Sequence, residues 1–358
     1  MIHYPCKTCE ELGINDEAIT KRENIRFYDV REIDAFRIYG LQDNADKSKF
    51  VRMPTDVAER VSVNVKNLHV ETTGGRIRFS TTSRFVALRA VNVNPTYRMN
   101  APIIASNGFD LYVNLAGRDT FAGVFRPPFS GYNEGFHAIV DLEPGMKDIT
   151  INFPINSPVG AVYIGLDETA ELVRRADYRH EKPVLYYGSS ITHGVGASRP
   201  GMIYPAIISR RLDCNFINLG MNGSAKAEDT MCAYLASLDP SVFVMDYDYN
   251  APNAAYLKET HEKLYLTFRA AHPDTPVVMV GKPNSWPNTD CADRRDVIFE
   301  TYDAARKRGE KVIFVDGQSL FQGHLHEECT VDGCHPNDVG FARMADAIGR
   351  AVNYALAM

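Results

Sequence analysis

The residues best suited to chemistry are a serine near the middle of the chain and an aspartate–histidine pair near its end. Ser190 lies in Gly188-Ser-Ser-Ile-Thr192, and Asp332 precedes His335 by three residues. A serine hydroxyl becomes an effective nucleophile when a histidine accepts its proton and a carboxylate holds that histidine in one tautomer. The spacing allows Asp332 and His335 to share one loop, so these three residues predict acyl transfer through a covalent intermediate.

Acyl transfer also requires hydrogen-bond donors for the oxyanion of the tetrahedral intermediate. The candidates are the backbone amides of Ser190 and Gly223 and the side-chain amide of Asn250. Each residue also has a structural interpretation: Ser190 as a helix N-cap, Gly223 as a turn glycine, and Asn250 as the cap of a following helix. The catalytic interpretation is favoured because these residues follow successive predicted strands.

After about residue 180, short apolar segments alternate with helical ones. The predicted strands are Val184–Tyr187, Phe216–Leu219, Val242–Met245, Val277–Val280 and Val312–Val315. The predicted helices lie near 202–212, 226–237, 254–271, 292–309 and 338–355. Near-continuous apolar strands that alternate with helices predict a parallel sheet in a three-layer α/β/α domain. Ligands of such sheets bind at the carboxyl ends of the strands, where the candidate residues fall.

Residues from about 25 to 175 instead form a succession of short strands and turns. The predicted strands are Val61–Val65, Arg76–Phe79, Phe85–Ala90, Asp110–Val113, His137–Val140 and Ile149–Phe153. Turn signals such as Gly74-Gly75 and Pro144-Gly145 separate them, a pattern typical of an antiparallel β-sandwich or jelly roll. The charged stretch 174–182 predicts a boundary near residue 178, with a β-sandwich domain over 1–178 and a catalytic domain over 179–358.

The second half resembles the SGNH (GDSL-type) hydrolases over roughly residues 182–355. Four blocks carry the resemblance: Gly188–Thr192, Asn218–Gly223, Asn250 and Asp332–His335. It implies a flavodoxin-like fold, with Ser190 as nucleophile, Asp332 and His335 as its partners, and Gly223 and Asn250 as oxyanion donors.

This sequence departs from the family pattern at three positions. Ser189, Asp248 and Ala251 stand where the family usually has an aspartate, a glycine and an aspartate. These differences concern the geometry of the local loops. They remove none of the proposed catalytic groups.

The first half adds a second resemblance. Gly108-Phe-Asp-Leu-Tyr112 looks like the Gly-x-Asp-Leu-Tyr signature of a β-rich domain that precedes some bacterial SGNH esterases. The two resemblances together imply a serine esterase that cleaves a short acyl ester, acetyl above all, on a carbohydrate. The alternatives are a general short-chain esterase, a lipase or a thioesterase and, from another class, a non-catalytic carbohydrate-binding protein.

Some further residues are candidates for substrate contact or chemistry. Asn284 and Trp286 follow the fourth predicted strand of the second half, and His193 follows the serine turn. Trp286 could stack on a sugar or shape an acyl pocket, with simple packing as the alternative, and His193 could equally be structural. Cys334 is an alternative nucleophile, but nothing in the sequence assigns it a base other than His335.

Composition narrows the classes of partner. The net charge is −6 and no Arg/Lys-rich run occurs, which argues against nucleic-acid binding. Neither a signal peptide nor an apolar stretch of membrane-spanning length is found in the sequence, so no membrane partner is expected. We expect a small-molecule or oligosaccharide ester as substrate. The first domain could complete the substrate cleft, bind glycan or dimerise, which leaves a homo-oligomer open.

The cysteines indicate the compartment. Seven are present, an odd number, which without a secretion signal predicts reduced thiols and a cytoplasmic protein, unless a signal has been removed. Cys6 and Cys9 have metal-binding spacing but lack a second pair. The sequence therefore predicts neither a metal nor a cofactor.

Overall fold

The computed structural model describes residues 4–42, 46–91, 94–283 and 289–358. The chain forms two compact units. The first comprises Met1–Arg52, Val70–Asp177 and Arg199–Gly201, and the second comprises Met53–His69, Tyr178–Ser198 and Met202–Met358. A single cut near residue 178 does not separate these units. Residues 53–69 precede the cut but belong to the second unit, and residues 199–201 follow it but belong to the first.

The first unit is an antiparallel β-sandwich, as the sequence predicts. Its strands are β1 Ile25–Asp29, β2 Arg37–Tyr39, β3 Arg76–Thr81, β4 Phe85–Val91, β5 Phe109–Leu115, β6 Arg118–Phe125, β7 Gly135–Asp141, β8 Lys147–Asn152, β9 Ala161–Asp167 and β10 Leu172–Val173. In the described part of the chain, one sheet has the order β1–β9–β4–β7 and the other β10–β3–β8–β5–β6, with β2 paired to β3. All of these pairings are antiparallel.

Alternating apolar side chains form the core of the sandwich. Ile77 and Phe79 of β3 are fully buried, and so are Val86 and Leu88 of β4 in the opposite sheet. These side chains belong to one cluster. Because successive strand residues point to opposite faces, residues two apart can fill the space between the sheets.

Asp110, the aspartate of the Gly-x-Asp-Leu-Tyr motif, has a structural role within the first unit. Its side chain is fully buried and accepts hydrogen bonds of 2.8 Å from Asn152 Nδ2 and from the Gly201 N–H. The guanidinium of Arg199 lies 3.5 Å from the same carboxylate. The motif thereby attaches residues 199–201 to β5.

The prediction of a strand over Val61–Val65 is wrong. The short helices of this part of the chain are α1 Glu17–Thr20, α2 Thr55–Val61, α3 Val63–Leu68 and α4 Ile103–Asn107. Ser62 caps α3, its Oγ accepting a hydrogen bond from the Val65 N–H at 3.2 Å. The alternating valines suit a strand, but Ala58, Val65 and Leu68 pack into the core of the second unit from one side of each helix. Tertiary burial at helical spacing therefore outweighs local β-propensity.

The second unit is a three-layer α/β/α domain, which confirms the predicted fold class. Its strands are β11 His180–Gly188, β12 Cys214–Gly220, β13 Val242–Asp246, β14 Val277–Val280 and β15 Val312–Val315. Its remaining helices are α5 Ser190–His193, α6 Tyr204–Leu212, α7 Asp229–Ser237, α8 Ala254–Ala271, α9 Thr289–Lys307 and α10 Asp338–Ala355. Within the described residues the strands pair in parallel in the order β12–β11–β13–β14–β15, which is the flavodoxin-like order. The helix α6 packs against α10, whereas α8 packs against α7 and α9.

Strand register brings the important loops together. Gly188, the last residue of β11, pairs with Gly220 of β12 on one side and with Asp246 of β13 on the other. The segments that follow these three strands therefore begin side by side. This edge of the sheet is the switch point at which α/β domains bind ligands.

Candidate active site

The turn after β11 presents Ser190 as the first residue of α5. Ser189 is the N-cap of this helix, because its Oγ accepts a hydrogen bond from the Ile191 N–H at 3.1 Å. Gly188 has no room for a side chain, since a Cβ there would lie 1.9 Å from Thr192 Oγ1. The local geometry thus assigns a capping role to Ser189 and leaves the hydroxyl of Ser190 for other contacts.

A hydrogen-bonded chain joins Ser190, His335 and Asp332. The Oγ of Ser190 lies 2.9 Å from His335 Nε2, and His335 Nδ1 lies 2.8 Å from Asp332 Oδ2. Because an ionised carboxylate only accepts hydrogen bonds, these partners assign the ring proton to Nδ1 and leave the Nε2 lone pair facing the serine hydroxyl. The arrangement can therefore move the serine proton onto the imidazole.

The loop that carries Asp332 and His335 is fixed by its own hydrogen bonds. Asp332 Oδ1 accepts from the backbone N–H groups of His335 at 2.8 Å and Cys334 at 3.0 Å. Gly333 has a φ of +82°, a conformation that glycine adopts without strain. Asn337 then caps α10 with its side-chain oxygen. The carboxylate and the imidazole are consequently held in register by a single short loop.

The predicted oxyanion donors follow three adjacent strands. Ser190 follows β11, Gly223 follows β12 with a φ of +75°, and Asn250 ends the 3₁₀ turn Asp248–Asn250 after β13. Asn250 Oδ1 accepts a hydrogen bond from the Ala225 N–H at 3.1 Å, which orients the amide with its NH₂ group free to donate. Within the described residues, neither this NH₂ group nor the backbone amides of Ser190 and Gly223 have an acceptor.

The turn of α5 is also braced from β12. Asn218 Nδ2 donates to the Thr192 carbonyl and its Oδ1 accepts from the Gly220 N–H, both at 2.8 Å. His193, a predicted substrate contact, is fully buried, and its Nδ1 lies 2.9 Å from the Gly220 carbonyl oxygen. Through this contact His193 joins α5 to β12. The other two predicted contacts, Asn284 and Trp286, lie outside the described residues.

A buried carboxyl that the sequence interpretation missed joins the site from the end of β13. Asp246 Oδ2 accepts hydrogen bonds of 2.8 Å from Thr192 Oγ1 and from Tyr204 OH. Burial raises the pKa of Asp246 to about 7, although both hydroxyl groups favour the ionised form. The sequence signal that could have identified it is an acidic residue directly after the predicted apolar strand Val242–Met245. Asp246 links β13 to α5 and α6 and so supports the helix that begins with Ser190.

Stability is expected to fall with rising pH because of Asp246. Between about pH 4 and pH 7 the unfolded chain has released this proton while the folded chain keeps it, so unfolding becomes easier as pH rises. A shift to a pKa of about 7 corresponds to a loss on the order of 4 kcal/mol by pH 8. In Asp246→Asn, which keeps an acceptor but does not ionise, thermal unfolding followed by circular dichroism should show a smaller loss of Tm between pH 5 and pH 8. Equal losses in the two proteins would contradict this assignment.

The cysteines take no comparable part. All seven are free thiols. Burial raises the pKa of the Cys334 thiol above its ordinary value, which disfavours the nucleophilic thiolate beside His335.

Among the described residues no cluster of three or more potential ligands could hold a metal ion. In that same part of the chain no helix combines the length and apolar character that a membrane span requires.

Each half of the sequence matches a known protein family. Residues 181–353 match the GDSL-like lipase/acylhydrolase family, and residues 25–172 match the N-terminal domain of SGNH-hydrolase-type esterases, named GxDLY. This chain belongs to the SGNH (GDSL-like) esterases. The esterase is accordingly a carboxylic ester hydrolase, and both resemblances seen in the sequence are confirmed. No match was found among curated proteins.

Solved structures share the fold of the esterase over nearly its whole length. A GDSL-like lipase from Bacteroides ovatus is 28% identical with a TM-score of 0.82, and the match covers 93% of this chain and 98% of that one. A salicylyl-acyltransferase from a tetracycline biosynthetic pathway has 20% identity, a TM-score of 0.70 and the same coverage. A family two carbohydrate esterase from Cellvibrio japonicus has 13% identity, a TM-score of 0.60 and again 93% and 98% coverage.

Proposed function

We propose that this esterase hydrolyses a short acyl ester, acetyl above all, on a carbohydrate through an acyl-enzyme at Ser190. The observation that carries the proposal is the hydrogen-bonded chain from Ser190 through His335 to Asp332. It begins after the carboxyl end of β11, and Gly223 and Asn250 follow the two strands that pair with β11. These groups are the nucleophile, base, orienting acid and oxyanion donors that acyl transfer needs.

The proposed mechanism uses these groups in turn. His335 Nε2 takes the hydroxyl proton as Ser190 Oγ attacks the ester carbonyl, and Asp332 stabilises the resulting imidazolium. The backbone amides of Ser190 and Gly223 and the NH₂ group of Asn250 donate to the oxyanion. His335 then protonates the leaving alcohol, which leaves an acyl group on Ser190. Water that gives its proton to His335 attacks this acyl-enzyme, and His335 returns a proton to Ser190 Oγ as the acid leaves.

Two observations support a carbohydrate ester as the substrate. The fold is shared with family two carbohydrate esterases, one of which, from Clostridium thermocellum, was solved in complex with cellohexaose. The first unit is a β-sandwich, as the sequence predicts for a partner domain of a carbohydrate esterase. These likenesses concern the fold, so the acyl group and its acceptor remain part of the proposal.

Substrate preference is expected to favour acetyl over longer acyl groups. We expect kcat/KM to fall about tenfold or more from p-nitrophenyl acetate to p-nitrophenyl octanoate, because a pocket shaped for acetate excludes added methylenes. Acetylated xylo-oligosaccharides should release acetate faster than tributyrin releases butyrate or acetyl-coenzyme A is cleaved. A preference for octanoate, lipid or thioester would favour the lipase or thioesterase interpretation.

A covalent label separates an enzyme from a binding protein. A fluorophosphonate should label wild-type protein at Ser190 and leave Ser190→Ala unlabelled. Sugar binding without any labelling would indicate a non-catalytic carbohydrate-binding protein.

Acyl transfer to another alcohol is a second candidate, because the fold is shared with a salicylyl-acyltransferase. The same acyl-enzyme would then react with an acceptor in place of water. Adding methanol or glycerol to the acetate assay and measuring the new ester against free acetate distinguishes the two outcomes. Predominant hydrolysis supports the proposal above.

The proposal also includes two expectations from the sequence. The esterase is cytoplasmic, and it acts on a small-molecule or oligosaccharide ester without nucleic-acid or membrane partners. The proposal specifies no oligomeric state.

A further inference from the structure

The turn that carries Asn250 contains a buried ion pair. Asp248 opens this turn and is 2% exposed, and Arg294 of α9 is 5% exposed. Arg294 Nη1 lies 3.2 Å from Asp248 Oδ1. Burial raises the pKa of the Asp248 carboxyl, while the Lys282 N–H and the Arg294 guanidinium oppose that rise. A charged pair at this depth needs further hydrogen bonds to persist.

The guanidinium of Arg294 binds the backbone on both sides of Asn250. Its Nη1 donates to the Asp248 carbonyl at 2.8 Å, and its Nη2 donates to the Ala251 carbonyl at 2.9 Å. The Asp248 carboxylate in turn accepts from the Lys282 N–H at 2.8 Å, just after β14. One side chain therefore clamps the turn, and the carboxylate ties it to the next strand of the sheet.

Two further hydrogen bonds hold Asn250 itself. The Asn250 N–H donates to the Tyr247 carbonyl at 2.9 Å, and its Oδ1 is held by Ala225. With backbone and amide oxygen both fixed, the direction of the NH₂ group depends on the position of the turn. An oxyanion donor must be placed to within a few tenths of an ångström to be effective.

We propose that Arg294 and Asp248 are positioning residues for Asn250, so that their ion pair holds the amide of Asn250 where the oxyanion forms. The inference rests on the oxyanion role proposed above for Asn250. It also gives Asp248, which stands where the family usually has glycine, a use of its own. The carboxylate supplies the charge that retains Arg294 against the turn.

The test compares the effect of removing Arg294 with and without its target. In the wild-type background, Arg294→Met should lower kcat on p-nitrophenyl acetate by about tenfold to a hundredfold, with KM nearly unchanged, because a misplaced donor weakens transition-state binding alone. In the Asn250→Ala background the same change should lower kcat by less than about twofold, because residues that act through one another are not additive. Equal losses in both backgrounds, or no loss in the wild type, would overturn the proposal.

Arg269→Met provides a matched control. Arg269 is similarly buried in the same unit, and its Nη1 donates to the carbonyls of His272, Pro273 and Thr275 at 2.8–2.9 Å. Its loss should reduce Tm while leaving kcat within about twofold, because it holds a turn that carries no oxyanion donor. A similar fall of kcat in Arg269→Met would attribute the Arg294 effect to general destabilisation.

Asp248→Asn keeps the proposal testable if Arg294→Met fails to fold. Asparagine preserves the shape and an acceptor for the Lys282 N–H, so a loss of kcat of about tenfold, again absent in the Asn250→Ala background, is expected. Unchanged kcat in a folded Asp248→Asn protein would exclude the positioning role. If Asn250→Ala alone keeps full kcat while Ser190→Ala is inactive, the esterase mechanism stands and both the oxyanion role and this inference fall.

Discussion

Replacing Ser190 with alanine should lower kcat/KM for p-nitrophenyl acetate by at least about 10⁴, because removal of the nucleophile abolishes the covalent route. The hydroxyl is the group that contacts His335 Nε2 at 2.9 Å. The residual rate, measured by continuous release of p-nitrophenol, should approach the rate of spontaneous hydrolysis of the ester in buffer. Circular dichroism should show an unchanged fold, since alanine fits the first turn of a helix.

Ser189→Ala is the matched control for that experiment. It removes the N-cap bond to Ile191 and should lower stability by about 1 kcal/mol. The nucleophile and its base remain, so turnover and fluorophosphonate labelling should persist. Full activity in Ser190→Ala together with inactivity in Ser189→Ala would move the nucleophile by one residue and refute the assignment.

Asp332→Asn should have the second largest effect, a loss of about 10³–10⁴ in kcat. The asparagine NH₂ group can donate to His335 Nδ1, which favours the tautomer with the proton on Nε2. In that tautomer the imidazole cannot take the serine proton. Steady-state rates on p-nitrophenyl acetate measure the loss, and KM should change little, because Asp332 is proposed to act on the imidazole rather than on the substrate.

An aspartate on the surface of α10 provides the comparison. Asp346 pairs with Arg211, and both side chains are about half exposed, so Asp346→Asn should change kcat by less than about twofold. If Asp332→Asn were equally mild, Asp332 would not be the residue that orients His335.

The positions of the candidate catalytic residues could be predicted because their signals are local. Apolar runs mark the strands, and Ser190 closely follows one of them, although a serine at that position alone also suits a helix N-cap. Parallel strands have their carboxyl ends at one edge of the sheet, so residues that follow different strands lie near one another although they are far apart in sequence. The catalytic roles of these residues remain predictions that the variants above test.

The supporting contacts could not be predicted because their partners are remote in sequence. Asp248 meets Arg294 across 46 residues, and Asp246 meets Tyr204 across 42. Nothing in the neighbourhood of either aspartate indicates such a partner. Likewise α2 and α3, which meet at Ser62, depend on burial in the second unit, which a five-residue alternation of valines does not reveal.

The helices α2 and α3 have a consequence for how this protein can be divided. Met53, Ala58, Val65 and Leu68 fill part of the core of the second unit, although they come from the middle of the sequence that builds the sandwich. A fragment that begins at residue 178 would lack these side chains and expose the apolar surface they cover, including that of α7. A chimera that joins two relatives near residue 178 would likewise combine the core of one protein with the α2 and α3 of the other. The second unit is thus a discontinuous module whose core needs residues 53–69 as well as the residues that follow position 178.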